Sequence, residues 1–363
     1  MRKIDMDNLN YCIAQDAGEL DHIPERAFIY HIVKQYFSKV PEIKSRKDPK
    51  IMVNYTREEI IKIVLEFYRD LDQGMYEQAK RILTGQSEIP IIIYDKDKAK
   101  NMRDELETYP RDPKIRWEQK SILVSDKHLT RHHLVQHGSA KIFMPRNGDI
   151  SDAYYLAHEI SHTFDRSLDG VFKANPLLLE ITPDCIENIM DYYLQRKGII
   201  TRNAVLQRRI EKAKGIRGDY LGTLARIELA TLQRDEGNLD EELINEYLET
   251  VGYKLSDKDL QWAYRRIMTD RRQIGYNTRY IVADLITSPY FQRLYEQDPK
   301  KAVQRLKAFH TNMKEGTPEE SLESLGITLD MKTIDRLLDS KAGYVLGLES
   351  QSNKDQKSDD WLR

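Results

Sequence analysis

The chain has 363 residues, 40% of them hydrophobic, which excludes wholesale disorder and leaves room for one large helical domain or two to three smaller ones. Lysine and arginine number 57 against 59 aspartate and glutamate, and a formal net charge of -2 gives no global signal for nucleic acid or an anionic membrane. Two cysteines far apart in sequence, Cys12 and Cys185, exclude a disulfide framework.

Most of the chain reads as helix. Ala27 to Val40 has apolar residues at helical spacing and stops before Pro41. A capping-box pattern, Thr56-Arg57-Glu58-Glu59, opens a helix that runs to Leu83, with Gly74 as its expected break. The first reading of such stripes is core packing. Ile89 to Tyr94, Ser121 to Val124 and Ala140 to Met144 are short apolar or β-branched runs that predict a small sheet. The turn Asn147-Gly148-Asp149 then leads to Ser151, the expected N-cap of the next helix. From Pro176 to Asp339 the pattern is helical again, and the polar stretch 349–363 predicts a disordered tail. These segments suggest an N-terminal helical segment (1–50), a catalytic domain (51–348) and the tail.

The helix after Ser151 carries His158-Glu159-Ile160-Ser161-His162. Histidines four apart project from one helix face, one turn apart, the separation that two ligands on a single helix need to reach one tetrahedral zinc. Zinc lowers the pKa of a bound water, and Glu159, next to the first ligand, can take that proton and later deliver it to a leaving amine. The bland alternative is a surface helix with an incidental histidine pair.

A catalytic zinc needs a third protein ligand, and Glu180 lies in an apolar helical run, Leu177 to Ile181, where an unpaired carboxylate is unfavourable. Ligation resolves that conflict; pairing with a lysine or arginine is the alternative. Asp184 and Glu187 follow on the same face, and either can accept the outer ring N–H of a ligand histidine. His128, His132, His133 and His137 cluster without a matching carboxylate, so a second metal site is the weaker reading, and His137 can contact substrate. Cys185, in an apolar helix without a neighbouring base, reads as a buried structural thiol.

With these residues in view the chain resembles the thimet oligopeptidase and oligoendopeptidase F family of HExxH zinc metallopeptidases, as a short, divergent member. The likeness lies in Asp152, Tyr154 or Tyr155, and Leu156-Ala157-His158-Glu159 with His162. It continues in Leu178-Leu179-Glu180-Ile181 with Glu187, in Ala225 to Ala230, Gly237-Asn238-Leu239 and Trp262, and in Pro318 to Ile327 followed by Met331. With Tyr55 to Leu83, which looks like the family's helix entering the catalytic region, and Ala308 to Leu338 around the last motif, the resemblance covers most of residues 25 to 340. The resemblance implies a mainly α, zincin-type helical peptidase with a small β-sheet next to the metal-binding helix and one zinc ion. It also implies downstream tyrosines that stabilise the oxyanion, for which Tyr276 and Tyr280 are the candidates. The family's downstream histidine has no counterpart; Arg271 or Arg272 can replace it electrostatically, and the tyrosines' other reading is helix packing. Ser161 replaces the family's usual glycine, the loop between His162 and Glu180 is shorter, and the family's N-terminal helical lobe has no match.

The expected activity is hydrolysis of internal peptide bonds in short peptides, with the strand at Ala140 to Met144 pairing with an extended substrate along its edge. The alternatives are a secreted, toxin-like protease cutting one folded protein, and an inactive relative that binds without turnover. Partners are a peptide or protein substrate, with no nucleic acid and no membrane. The first residues hold no apolar stretch of signal-peptide length and no segment approaches a transmembrane span, so a cytoplasmic location is expected, secretion without a cleaved signal being the alternative.

Overall fold

A computed structural model of the chain describes residues 6–20, 26–43, 53–87, 91–95, 131–134, 140–164, 176–250, 274–328 and 330–359. Apolar side chains recurring every three to four positions wind nearly all of these residues into helix, and the fold is mainly α. In chain order the first helices are α1 (Met6–Leu20), α2 (Arg26–Lys39), α3 (Arg57–Leu71) and α4 (Gln73–Leu83). Strands β1 (Ile91–Asp95), β2 (Arg131–Leu134) and β3 (Ala140–Arg146) follow. Next come α5 (Ser151–Ser161), α6 (Ile181–Arg196), α7 (Arg202–Glu236), α8 (Glu241–Thr250) and α9 (Ile274–Ile286). A π-helical turn (Thr287–Phe291) leads into α10 (Gln292–Gln297), and α11 (Pro299–Glu315), α12 (Pro318–Leu325) and α13 (Met331–Asp359) complete the series. Among the described residues no helix is long and apolar enough to cross a membrane.

Two compact units emerge, each discontinuous in sequence. The first comprises Met1–Ser45, Leu206–Leu285 and Asp330–Arg363; the second comprises Arg46–Val205 and Ile286–Leu329. The boundaries at 50 and 348 drawn from composition therefore do not mark them. One crossing falls at Val205, inside α7, where no linker composition exists to betray it. Helix α13 runs on to Asp359, through much of the stretch that its polarity predicts as a tail. Residues 349–359 contain no Gly or Pro, so polarity alone does not stop the helix.

The first unit packs aromatic rings around buried charge pairs. Tyr36 stacks on Tyr220 with ring centroids 3.7 Å apart. Arg226 grips Asp16 through two bonds of 2.7 and 2.6 Å, and Glu228 accepts from Tyr30 and Tyr247 at 2.7 and 2.8 Å. Lys341 donates to Asp284 at 2.6 Å, both side chains only 1% exposed.

In the second unit the capping box forms as the sequence predicts: Glu59 N–H donates to Thr56 Oγ1 at 3.2 Å and Thr56 N–H to Glu59 Oε2 at 2.7 Å. The break in the long helix falls at Asp72 rather than Gly74. Asp72 adopts an extended conformation and its carboxylate accepts from the N–H groups of Gly74 and Met75, which starts α4 afresh. The three strands are ordered β1-β3-β2, β1 parallel and β2 antiparallel to β3. Because β3 is central, paired along 142–146 on one side and 140–143 on the other, the edge expected to receive substrate at 140–144 is largely taken.

Candidate metal centre

The turn before α5 is shaped by two aspartates. Asp152 accepts from the N–H groups of Asn147 and Gly148, each at 2.8 Å, and Asp149 accepts from Ser151 N–H at 2.8 Å. Ser151 is thus the first residue of α5 and not its N-cap, and the carboxylate of Asp149 meets its N–H instead. Burial pushes the Asp152 carboxyl up, against the two N–H donors that favour its charge.

Along α5, Ala153, Leu156, Ala157 and Ile160 are fully buried, which fixes the helix's rotation and turns His158 toward α6. Tyr68 on α3, also fully buried, donates its hydroxyl to Ala157 O at 2.6 Å. Gln78 on α4 bonds Thr163, just beyond the motif.

Glu180 is not inside a helix. It follows a short 3-10 turn (Pro176–Leu178) and sits immediately before α6. Pro183 dictates this: a proline lacks the N–H that an interior turn requires, so it fits only the first turn and the helix cannot begin much earlier. The turn carries the carboxylate to the two histidines. Oε2 of Glu180 lies 3.4 Å from Nε2 of His158 and 3.7 Å from Nε2 of His162, with Glu180 only 1% exposed.

The donor set fits a metal. Two atoms each about 2.1 Å from a tetrahedral ion stand ~3.4 Å apart, close to the observed spacings. Ligand atoms of His158, His162 and Glu180 all lie within 4.8 Å of one another, so this cluster is able to hold a metal ion. Two imidazoles and one carboxylate leave a fourth tetrahedral position for a water or substrate oxygen.

Helix α6 supplies the surroundings. Oε1 of Glu187 stands 2.8 Å from Nδ1 of His158, so of the two candidate acceptors Glu187 is the one that holds this ring. One turn earlier on α5 and one turn later on α6, Tyr154 donates its hydroxyl to the buried Asp191 at 2.8 Å. These two rungs fix the register of α5 against α6. Asp184 also has a ligand atom within reach of His158 and Glu187, and accepts from Thr287 at 3.4 Å. Burial disfavours the charged form of His158, yet the Glu180 and Glu187 carboxylates outweigh it and hold its pKa well above the ordinary 6.5.

The second unit therefore brings together His158, Glu159, His162, Glu180, Asp184 and Glu187. Glu159 is 4% exposed, beside His158 on α5. Tyr276 and Tyr280 belong to the first unit, on α9, where the Arg279 guanidinium lies 5.1 Å from the Tyr280 ring centre. His137 and Arg272 fall outside the described residues, as do His128 and Arg271. His132 and His133 are in β2, and Cys185 is fully buried on α6, as its apolar setting predicts. Sequence reasoning missed Tyr68, Gln78 and the Tyr154–Asp191 pair, which are ordinary helix residues until distant segments meet.

A mainly helical scaffold bearing a buried His-His-Glu cluster defines a candidate metalloprotein. No family model and no curated protein matches the sequence. Among solved structures the chain is similar in fold to a "putative peptidase" from Chlamydophila abortus, at 13% identity and a TM-score of 0.52. The alignment covers 95% of this chain and 55% of that one, so the chain spans little more than half its length.

Proposed function

We propose that the protein is a zinc-dependent endopeptidase of the zincin type, related to the thimet oligopeptidase and oligoendopeptidase F family, acting on short peptides. The observation that carries the reading is the convergence of His158 Nε2 and His162 Nε2 on Glu180 Oε2 at 3.4 and 3.7 Å. The fold shared with the Chlamydophila abortus protein supports it.

His158, His162 and Glu180 hold one zinc in this reading. Zinc bound there supplies a Lewis acid that polarises the scissile carbonyl and lowers the pKa of a coordinated water. Glu159 takes the proton of the attacking water and passes it to the leaving amine. Glu187 fixes the His158 ring with its Nε2 toward the ligand carboxylate. Tyr276 and Tyr280 are the proposed donors to the oxyanion, and His137 and Arg272 the proposed substrate contacts.

Digestion of a peptide library beside folded candidate proteins, with and without a chelator, tests this. Cleavage at internal bonds of short peptides, lost on chelation and regained with zinc, is expected. Cleavage of one folded protein alone would remove the short-peptide reading, and chelator-insensitive cleavage would remove the zinc reading.

A further inference from the structure

A zinc-binding histidine pair needs both rings fixed, yet helix α5 ends at Ser161, one residue before His162. The His162 N–H is a long 3.4 Å from His158 O. The next two N–H groups switch to partners three residues back, Thr163 to Ile160 O at 2.9 Å and Phe164 to Ser161 O at 3.0 Å. Hydroxyls of Ser161 and Thr163 bond the carbonyls of His158 and Ile160, each at 2.6 Å. The second histidine thus stands where the α-helix tightens into a 3-10 turn. Changing from 3.6 to 3.0 residues per turn rotates a side chain by roughly 20° per residue, which swings an atom about 6 Å from the axis by about 2 Å. Zinc ligands tolerate displacements of only ~0.2 Å.

One side chain from a different segment pins this turn. Gln78 Nε2 lies 2.9 Å from both the backbone O and the Oγ1 of Thr163. Gln78 is carried on a helix anchored by buried Met75, Ala79 and Ile82 and capped by Asp72. On the preceding helix Tyr68 holds Ala157 O at 2.6 Å. The α3–α4 hairpin therefore grips the backbone immediately before His158 and immediately after His162.

We propose that Gln78 is a positioning residue for the metal centre, orienting His162 through its bonds to Thr163. It rests on the metal-binding reading above, and adds that the site's geometry is set from outside the motif helix. A glutamine that only fills space would leave metal affinity and local backbone protection unchanged when replaced.

The test compares the full-length protein with Gln78→Ala and with Gln78→Glu, which keeps the size and loses the N–H donor. Gln73→Ala serves as the control, because Gln73 is exposed and bonds Glu77 on the same helix. Amide hydrogen exchange is followed in the metal-free proteins over 158–164, and zinc affinity by competition with a chromophoric chelator. Both Gln78 variants are expected to exchange faster over 158–164 and to lose about tenfold in zinc affinity, with the control unchanged. Exchange unchanged over that segment, or faster exchange with unaltered affinity, would overturn the proposal. If wild type itself binds no zinc, the metal reading fails along with it, a result told apart because it shows before any variant is compared.

Discussion

Oε1 of Glu187 lies 2.8 Å from Nδ1 of His158, while the ring's other nitrogen faces Oε2 of Glu180 at 3.4 Å. One carboxylate thereby holds the imidazole by its outer edge and leaves Nε2 for a metal. Glu187→Ala is expected to weaken zinc binding by about 10–100-fold, as removal of such outer partners does. Chelator competition measures it, and an unchanged affinity would show that Glu187 has no part in the site.

The same two carboxylates make the metal-free protein sensitive to pH. Against the effect of burial they raise the His158 pKa well above 6.5. A raised folded-state pKa gives stability that is full below the unfolded value and is lost as pH climbs through the folded one. Urea unfolding of metal-free protein should therefore show His158's contribution full below pH 6.5 and declining above it. A His158→Asn variant should lack that decline. Zinc binding at neutral pH should also release a proton from His158, read as a buffer-dependent heat of binding; a heat independent of buffer would contradict this.

Register between α5 and α6 is held by Tyr154 and Asp191, bonded at 2.8 Å with Asp191 fully buried. Tyr154→Phe removes this bond to the buried carboxylate and should lower stability by about 1–3 kcal/mol. In an Asp191→Asn background the same change should cost less, the difference being the coupling between the pair. Equal destabilisation by Tyr154→Phe in both backgrounds would deny the coupling.

In the first unit Lys341 and Asp284 form an ion pair at 2.6 Å with both side chains 1% exposed. Lys341→Met alone takes the ammonium away from this buried carboxylate and should cost about 3–5 kcal/mol, as measured by urea unfolding. Adding Asp284→Leu should return part of it, and a double variant no more stable than Lys341→Met would contradict this.

Local chemistry made part of this molecule legible in its sequence. The spacing of His158 and His162 and the misplaced polarity of Glu180 point to the cluster. The Thr56–Glu59 capping box is readable for the same reason, since both partners lie within one turn. Long-range geometry was not legible: Gln78 meets Thr163 and Tyr68 meets Ala157 across 85 and 89 residues, and nothing in a helical glutamine or tyrosine marks it for such a contact. Two local signals were present but misread. Pro183 places Glu180 ahead of α6, and Asp72 outcompetes Gly74 as a break because a capping carboxylate both ends one helix and begins the next. The division into two units escaped because one crossing lies within a continuous helix.

The most direct test of the account is zinc content and peptide turnover measured side by side for wild type and Glu159→Gln. A His-His-Glu site with Glu159 as proton carrier predicts one zinc per chain in both proteins, with turnover of an internally quenched peptide in wild type and a loss of about 100-fold or more in the variant. No stoichiometric zinc in wild type, or equal turnover in the two, would contradict it.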